Sequence, residues 1–256
     1  MALYGHESAC QDIDGLTEYV LQLFEKMGFA KKQIKAGFVE GGNENDRYHY
    51  PMKTVSFTRF IKLVKERNYK GLSAFRLSID NPKPSLFNDD IVNFFINFKG
   101  YGKTDISITI EKSIIADSVP ELIEWSKQIY TFFYYHYGII YEGKNSQATS
   151  SYLAGWYKHS FFSISQGKEG MLWEQTRHQT EQGYFRDVYQ WNLLNKNHLD
   201  ILLDGKTLAQ HIQDSPTQWG VLQALNQHIW LWTLSEKQIK TVKKILLTHN
   251  RILIVT

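Results

Sequence analysis

The sequence predicts an α+β fold of antiparallel sheets with packed helices, arranged as two loosely similar β-β-α-β lobes. Aromatic residues make up 14% of the chain, which favours strands and wide contact surfaces. Strand-like runs separated by Pro, Asn and Gly alternate with stretches of helical periodicity. The 256 residues suffice for one large domain or two small ones. We place the lobes at residues 1–145 and 146–256, with one continuous domain as the alternative.

The first third of the chain predicts two amphipathic helices separated by a loop. After a polar lead-in, LTEYVLQLFEKMGF places Leu16, Val20 and Leu23 at helical spacing, and Gly28 can end that helix. The segment KAGFVEGGNENDRYHYP, at residues 35–51, is rich in Gly, Asn and acidic groups, which predicts a long exposed loop. VSFTRFIKLVKERN then resumes the helical period.

A meander and a third helix follow. GLSAFRLSID, DIVNFFINF and TDISITIEKSII predict three antiparallel strands, and the third alternates isoleucines with polar residues. In SVPELIEWSKQIYTFFYYHYG, Ser118 and Glu121 form a capping box, and we expect the helix to run until Gly138, before a short strand GIIYEG. The polar stretch GKNSQATS marks the boundary between the lobes.

The second half repeats this order loosely. GYFRDVYQWNLLN predicts a strand that leads into a turn at NKNHLD, and LAQHIQ predicts a short helix. WGVLQALNQHIWLWTLS predicts two strands joined near Leu225. Ser235 and Gln238 form a capping box for the last helix, and RILIVT predicts a closing buried strand.

Composition limits the classes of function. The net charge is +3 without a basic run, so nucleic acid is not implied as a partner. Cys10 is the single cysteine, which excludes an internal disulfide and a Cys-based metal site. The start has no secretory signal pattern, and no apolar run approaches the ~20 residues of a membrane span. We therefore expect a cytoplasmic protein without a membrane segment.

The chain lacks the familiar catalytic motifs. It contains no dinucleotide fingerprint, phosphate-binding loop, nucleophile elbow or HExxH helix. His198 lies near Asp200 and His178 in sequence, but without metal-ligand spacing. Asp89 and Asp90 are adjacent and are interpreted as turn residues. We expect no cofactor, no metal and no catalytic residue.

Residues 184–200, YFRDVYQWNLLNKNHLD, combine polar and aromatic chemistry among apolar residues. If this segment is a strand, alternation places polar and apolar residues together on each of its faces. Such a strand is usually explained by a buried Arg or Asp that is paired across the sheet. The alternatives are an edge exposed to a partner and a catalytic role. We assign structural roles to Arg186, Asp187, Trp191 and His198.

That segment, followed by IWLWTLSEKQIKTVKKILLTHNRIL, resembles the C-terminal part of bacterial type VI secretion immunity proteins. In those proteins an arginine-containing strand leads to Asn-Leu-Leu and His-Leu segments, and a Trp-x-Leu strand precedes the last helix. The resemblance covers the last third of the chain, and other polymorphic-toxin immunity proteins fit almost as well. It implies a cytoplasmic α+β inhibitor that binds a cognate secreted toxin in bacterial competition and catalyses no reaction.

An inhibitor of this kind must plug a cleft or clamp a mobile element of the toxin. The loop at residues 40–50 offers carboxylates and rings on an exposed segment, with a solvated connector as the alternative. The predicted toxin contacts are Glu40, Glu44, Asp46, Tyr48 and Tyr50, with Trp173 and Tyr184 as second choices.

Two other classes stay open. An enzyme of unrecognised type would gather His178, Arg186, Asp187 and His198 around a pocket with perturbed pKa values. A homo-oligomeric scaffold subunit would expose a large apolar edge. The immunity interpretation predicts instead a monomer or weak homodimer with one strongly charged or aromatic patch.

Overall fold

The computed structural model describes residues 1–40, 52–67, 72–85, 88–100, 103–115, 118–142, 172–173 and 175–253. The chain divides into two compact units, here called the N-terminal unit (Tyr4–Tyr134) and the C-terminal unit (Met1–Leu3 with Tyr135–Thr256). The division falls after Tyr134, inside a strand, whereas we placed it at residue 145. Composition reveals polar connectors, but the pairing of strands decides which residues form a unit.

The N-terminal unit is a sheet with packed helices, which confirms the α+β class. Its helices are α1 (Ile13–Lys26), α2 (Phe57–Arg67) and α3 (Ser118–Tyr130). Its strands are β1 (Ala2–Cys10), β2 (Lys35–Glu40), β3 (Lys53–Ser56), β4 (Leu72–Ser85), β5 (Asn88–Gly100) and β6 (Lys103–Ile110). The hydrogen-bonded order is β1-β6-β5-β4-β2-β3. The pairs from β6 to β3 are antiparallel, so the predicted meander β4-β5-β6 is confirmed.

Alternating apolar residues build the core face of this sheet. Phe94 of β5 lies opposite Leu77 of β4 and Ile108 of β6, and all three side chains are buried. The ring of Phe60 in α2 lies on the same face, 5.4 Å from the ring of Phe75 between centroids. The apolar side chains that recur at every second residue of the strands therefore pack against those that recur at about 3.6 residues in the helix, and together they form one core layer.

The C-terminal unit carries a shorter antiparallel sheet. Its strands are β7 (Phe133–Ile140), β8 (Trp191–Leu194), β9 (Leu202–Leu203), β10 (Lys206–Thr207), β11 (Val221–Ala224) and β12 (Trp230–Thr233). Its helices are α4 (Lys196–Leu199), α5 (Leu208–Asp214), α6 (Pro216–Trp219) and α7 (Glu236–Thr248). The sheet order is β11-β12-β8-β7, and β9 and β10 form a separate hairpin.

Local chemistry sets the ends of these elements. The predicted capping box of Ser235 and Gln238 is present at the start of α7. Gly220 ends α6 at φ +79°, where an added Cβ would lie 2.2 Å from the carbonyl oxygen of Thr233, so only glycine fits. Asn226 turns the β11-β12 hairpin because its Oδ1 accepts the N–H groups of His228 and Ile229.

Several predictions for the first half were wrong. The segment before α1, which we interpreted as a polar lead-in, forms strand β1. Its first residues are apolar, but the polar residues in its middle obscure the pattern of a strand. The predicted loop at residues 35–51 begins with strand β2, and its residues from 41 onward lie outside the described ones. Helix α3 ends at Tyr130, and the aromatic run FYYHYGII forms β7, with Phe133, Tyr135 and Tyr137 buried on alternate positions. Tyrosine and phenylalanine favour a pleated strand over a continuation of the predicted helix.

In the second half, the predicted strand at residues 183–195 is much shorter. Only Trp191–Leu194 is a regular strand, because side chains occupy the backbone groups before it. Asp187 accepts the N–H of Val188, and Asn192 binds both the N–H and the carbonyl of Tyr189. The closing run RILIVT forms a single bridge, Ile252 with Phe185, in its described residues.

Of the helices that the structure describes, none has the length and apolar composition that crossing a bilayer requires.

The two faces of β5 provide a stability test. Phe94 is 1% exposed, whereas its neighbour Phe95 is half-buried on the other face. We expect Phe94→Ala to lower the free energy of unfolding by about 3–5 kcal/mol, because truncation leaves a cavity in the core. Phe95→Ala should cost less than half as much in the same urea titration. Equal losses would contradict the assignment of the core face.

Candidate functional site

Residues 184–200 form the buried centre of the C-terminal unit. The imidazole of His198 stacks on the ring of Tyr137 at 5.2 Å between centroids and meets the ring of Phe185 edge-on at 5.0 Å. Its Nδ1 lies 2.6 Å from the Oδ1 of Asn195, and its Nε2 lies 3.2 Å from the carbonyl oxygen of Tyr184. A neutral imidazole carries one N–H, so the ring donates to one of these two oxygens, and its other nitrogen only lies near the second oxygen.

Burial lowers the pKa of His198 to about 3, although the hydrogen bond to the Tyr184 carbonyl raises it in part. The ring is neutral at physiological pH. Because it is fully buried and its nitrogens face Asn195 and Tyr184 inside the unit, it is a packing and hydrogen-bonding group. This geometry does not suit acid-base catalysis, for which a ring nitrogen must reach a substrate.

Arg186 is also buried, with 2% exposure. Its guanidinium lies 4.8 Å from the ring centroid of Trp173, in cation–π geometry. Trp173 is itself fully buried. The prediction that Trp173 contacts a toxin is corrected on this ground, because its indole packs inside the unit beneath Arg186.

Asp187 joins the segment to the last helix. Its Oδ2 lies 2.8 Å from the Nζ of Lys243 in α7, and both side chains are mostly buried. Its Oδ1 accepts the N–H of Val188. Trp191, the remaining predicted structural residue, is half-buried in β8 opposite Thr233 of β12.

The predicted contact residues are only partly described. Glu40 is half-buried and forms an ion pair with Lys53 of β3. Tyr184 is half-buried, with the guanidinium of Arg251 at 5.0 Å from its ring centroid. The remaining predicted contacts lie outside the described residues: Glu44, Asp46, Tyr48 and Tyr50.

The structure does not present the residues of the enzyme alternative on one accessible surface. Arg186 and His198 are buried, Asp187 is bound to Lys243, and His178 is exposed. Over the described ranges, no group of three or more His, Cys, Asp or Glu side chains could hold a metal ion.

In the N-terminal unit, Asp90 belongs to strand β5, so its interpretation as a turn residue was wrong. Burial raises the pKa of this carboxyl group, while the charge of Arg76, with its Nη1 at 3.6 Å, opposes the increase. Asn93 donates a hydrogen bond to the same carboxylate oxygen at 3.0 Å. The cluster links β4 to β5.

A cleft of about 610 Å³ in the N-terminal unit is lined by Lys31, Lys32, Lys35 and residues 54–58. Its charge is partly neutralised, because Lys31 pairs with Glu25 and Lys35 pairs with Asp80.

The charged patch that stands out is on α7. Lys237, Lys240 and Lys244 are exposed at spacings of three and four residues, so they lie on one face of the helix. We call this set the lysine stripe. No ion-pair partner of these lysines occurs in the part of the chain that the structure describes. The signal is visible in EKQIKTVKK, but which lysines are exposed depends on how the helix packs.

Comparisons with known proteins do not identify a relative. No family model, curated protein or solved structure matches this chain.

The pKa of His198 predicts acid sensitivity. The unfolded chain takes up a proton near pH 6.5, whereas the folded imidazole does so only near pH 3, so the free energy of unfolding decreases as the pH falls between these values. From pH 7 to pH 5 this residue should contribute a loss of about 2 kcal/mol. His198→Gln should be less stable at pH 7 but should lack this loss in urea titrations at both pH values. The same stability difference from wild type at both pH values would contradict a neutral buried imidazole.

The stacking of Arg186 on Trp173 predicts a large stability effect. We expect Arg186→Ala to lower the free energy of unfolding by about 2–4 kcal/mol, because it removes a buried guanidinium and opens space above the indole. Arg251→Ala is the control, since it removes a similar contact with Tyr184 at a half-buried position and should cost about 1 kcal/mol or less. An Arg186→Ala variant that melts like wild type and yet loses function would overturn the structural assignment.

Proposed function

We propose that this protein is an immunity protein that binds a cognate secreted antibacterial toxin in the cytoplasm and neutralises it by occluding its active site or substrate surface. The observation that carries the proposal is the lysine stripe on α7, three exposed cations on one face of a helix that packing and an ion pair hold in place. The resemblance of residues 184–253 to type VI secretion immunity proteins supports it. Tests of binding, and not of turnover, are therefore the first to make.

The stripe suits a rigid docking face. Helix α7 is fixed by its capping box, by buried Val242 and Leu246, and by the ion pair between Lys243 and Asp187. Its opposite side carries the three exposed ammonium groups of the stripe. A surface of one sign accelerates association with an oppositely charged partner and disfavours other partners. The toxin surface that we propose it binds is therefore acidic.

The burial and internal bonding of the polar side chains in residues 184–200 favour a binding protein over the enzyme alternative. Three of the side chains named for catalysis, those of Arg186, Asp187 and His198, are already used in packing, hydrogen bonding or ion pairing within the C-terminal unit, and His178 is exposed. Side chains in such roles stabilise the fold. The groups that can bind a partner are therefore the exposed side chains. Glu40 and Tyr184 are kept as secondary contact candidates because both are accessible in part.

The proposal is tested by co-expressing this protein with the product of its neighbouring gene, and by scoring host survival and co-purification of the two chains. We expect rescue and a stable complex. If the host does not survive and the two chains do not co-purify, the immunity proposal is contradicted.

Charge reversal then tests the stripe. The triple variant Lys237→Glu, Lys240→Glu and Lys244→Glu should weaken the complex by more than about 100-fold, because three attractive charges become repulsive. The matched control reverses three exposed cations on α2: Arg59→Glu, Lys62→Glu and Lys65→Glu. This control has the same net charge and should bind within about threefold of wild type. Equal weakening of both variants would show that net charge, and not the stripe, determines binding.

A further inference from the structure

Strand β11 lies at the end of the sheet in the C-terminal unit. One of its sides pairs with β12 through residues 221–224 and 230–233. No strand within the described ranges pairs with its other side. Helix α5 contacts β11, yet Gln223 and Ala224 are exposed, as is Val221, at 61%.

The register identifies which backbone groups point away from β12. The N–H of Leu225 donates to the carbonyl of Ile229 at 2.9 Å, which makes these residues a hydrogen-bonded pair. Such pairs recur at every second residue of an antiparallel ladder, so Val221 and Gln223 also bond toward β12. Leu222 and Ala224 therefore direct their N–H and C=O groups to the open side.

This edge lacks the usual protection. Natural proteins guard a free edge with charged side chains, proline or a bulge. The strand VLQA has none of these, and residues 215–227 include no Asp, Glu, Lys or Arg. By contrast, the terminal strand β3 of the N-terminal unit carries Lys53, which is paired with Glu40.

We propose that β11 pairs antiparallel with β11 of a second copy of this chain, about a two-fold axis at Gln223. In this register Leu222 of each copy lies opposite Ala224 of the other, so the outward N–H and C=O groups of both residues are satisfied in both directions. Gln223 lies opposite itself, where two exposed amide side chains can bond to each other without like-charge repulsion. An uncharged, self-complementary edge fits its own copy better than a charged partner.

The pairing does not depend on the proposed function, since it needs only the chain itself. Four residues on each side bury little area, so the dimer is weak, with a dissociation constant above about 1 µM.

Cysteine cross-linking tests the register. In a Cys10→Ser background, Gln223→Cys places two thiols in a non-hydrogen-bonded pair with Cα atoms about 4.5 Å apart, within the range of about 4.4–6.8 Å that a disulfide spans. Val221→Cys is the control, because in this register its copy lies roughly 13 Å away along the strand. With oxidised glutathione, we expect the Gln223→Cys protein to form covalent dimers at least tenfold faster than the Val221→Cys protein. Equal rates, or no dimer from either protein, would overturn the proposal.

Sedimentation of the purified chain, with no partner present, tests the hydrogen bonds. Ala224→Pro removes one outward N–H and leaves the bonds to β12 intact, whereas Ala224→Ser keeps that N–H on a similarly small residue. We expect concentration-dependent dimerisation of the wild type and of Ala224→Ser, and at least a tenfold weaker dimer for Ala224→Pro. Wild-type protein that stays monomeric up to millimolar concentration, or a proline variant that dimerises equally well, would contradict the pairing.

Discussion

In the C-terminal unit, residues 184–200 form a polar segment whose buried members depend on partners inside the unit. Asn195 illustrates this requirement: its Oδ1 accepts the N–H of His198 and lies against Nδ1 of the same residue, while its Nδ2 donates to the carbonyl of Glu181. The aromatic rings of Tyr137 and Phe185 enclose the imidazole. A buried polar group without a partner costs roughly 1–3 kcal/mol, so the loss of one member destabilises its neighbours as well.

This constraint has a consequence for function. A histidine, an arginine and an aspartate close together in sequence resemble a catalytic set, but burial and internal bonding assign them to the scaffold. The ring of His198 stays neutral because desolvation disfavours its charged form. The ion pair between Asp187 and Lys243 holds the last helix in place, and the outer side of that helix exposes the lysine stripe.

The four lysines of α7 show how helical phase divides one residue type between two roles. Lys243 faces Asp187 and anchors the helix, whereas the three lysines of the stripe face outward. The aliphatic residues Val242 and Leu246 define the inner face and therefore the phase. In the same helix, Gln238 donates to the carbonyls of Pro216 and Thr217, so helix α6, which leads into β11, is held by α7 as well.

The sequence by itself determined the α+β class, the meander β4-β5-β6, the hairpin of β11 and β12, and the capping box at Ser235. These features depend on interactions between residues near in sequence, or on an alternation that repeats over many residues. Only the tertiary structure decided that residues 2–10 and 133–140 form strands, and at which residue the two units divide. It also decided the burial of Trp173 and the split among the lysines of α7. Each of these depends on which distant segments pair or pack together, and a linear pattern contains no distances between such segments.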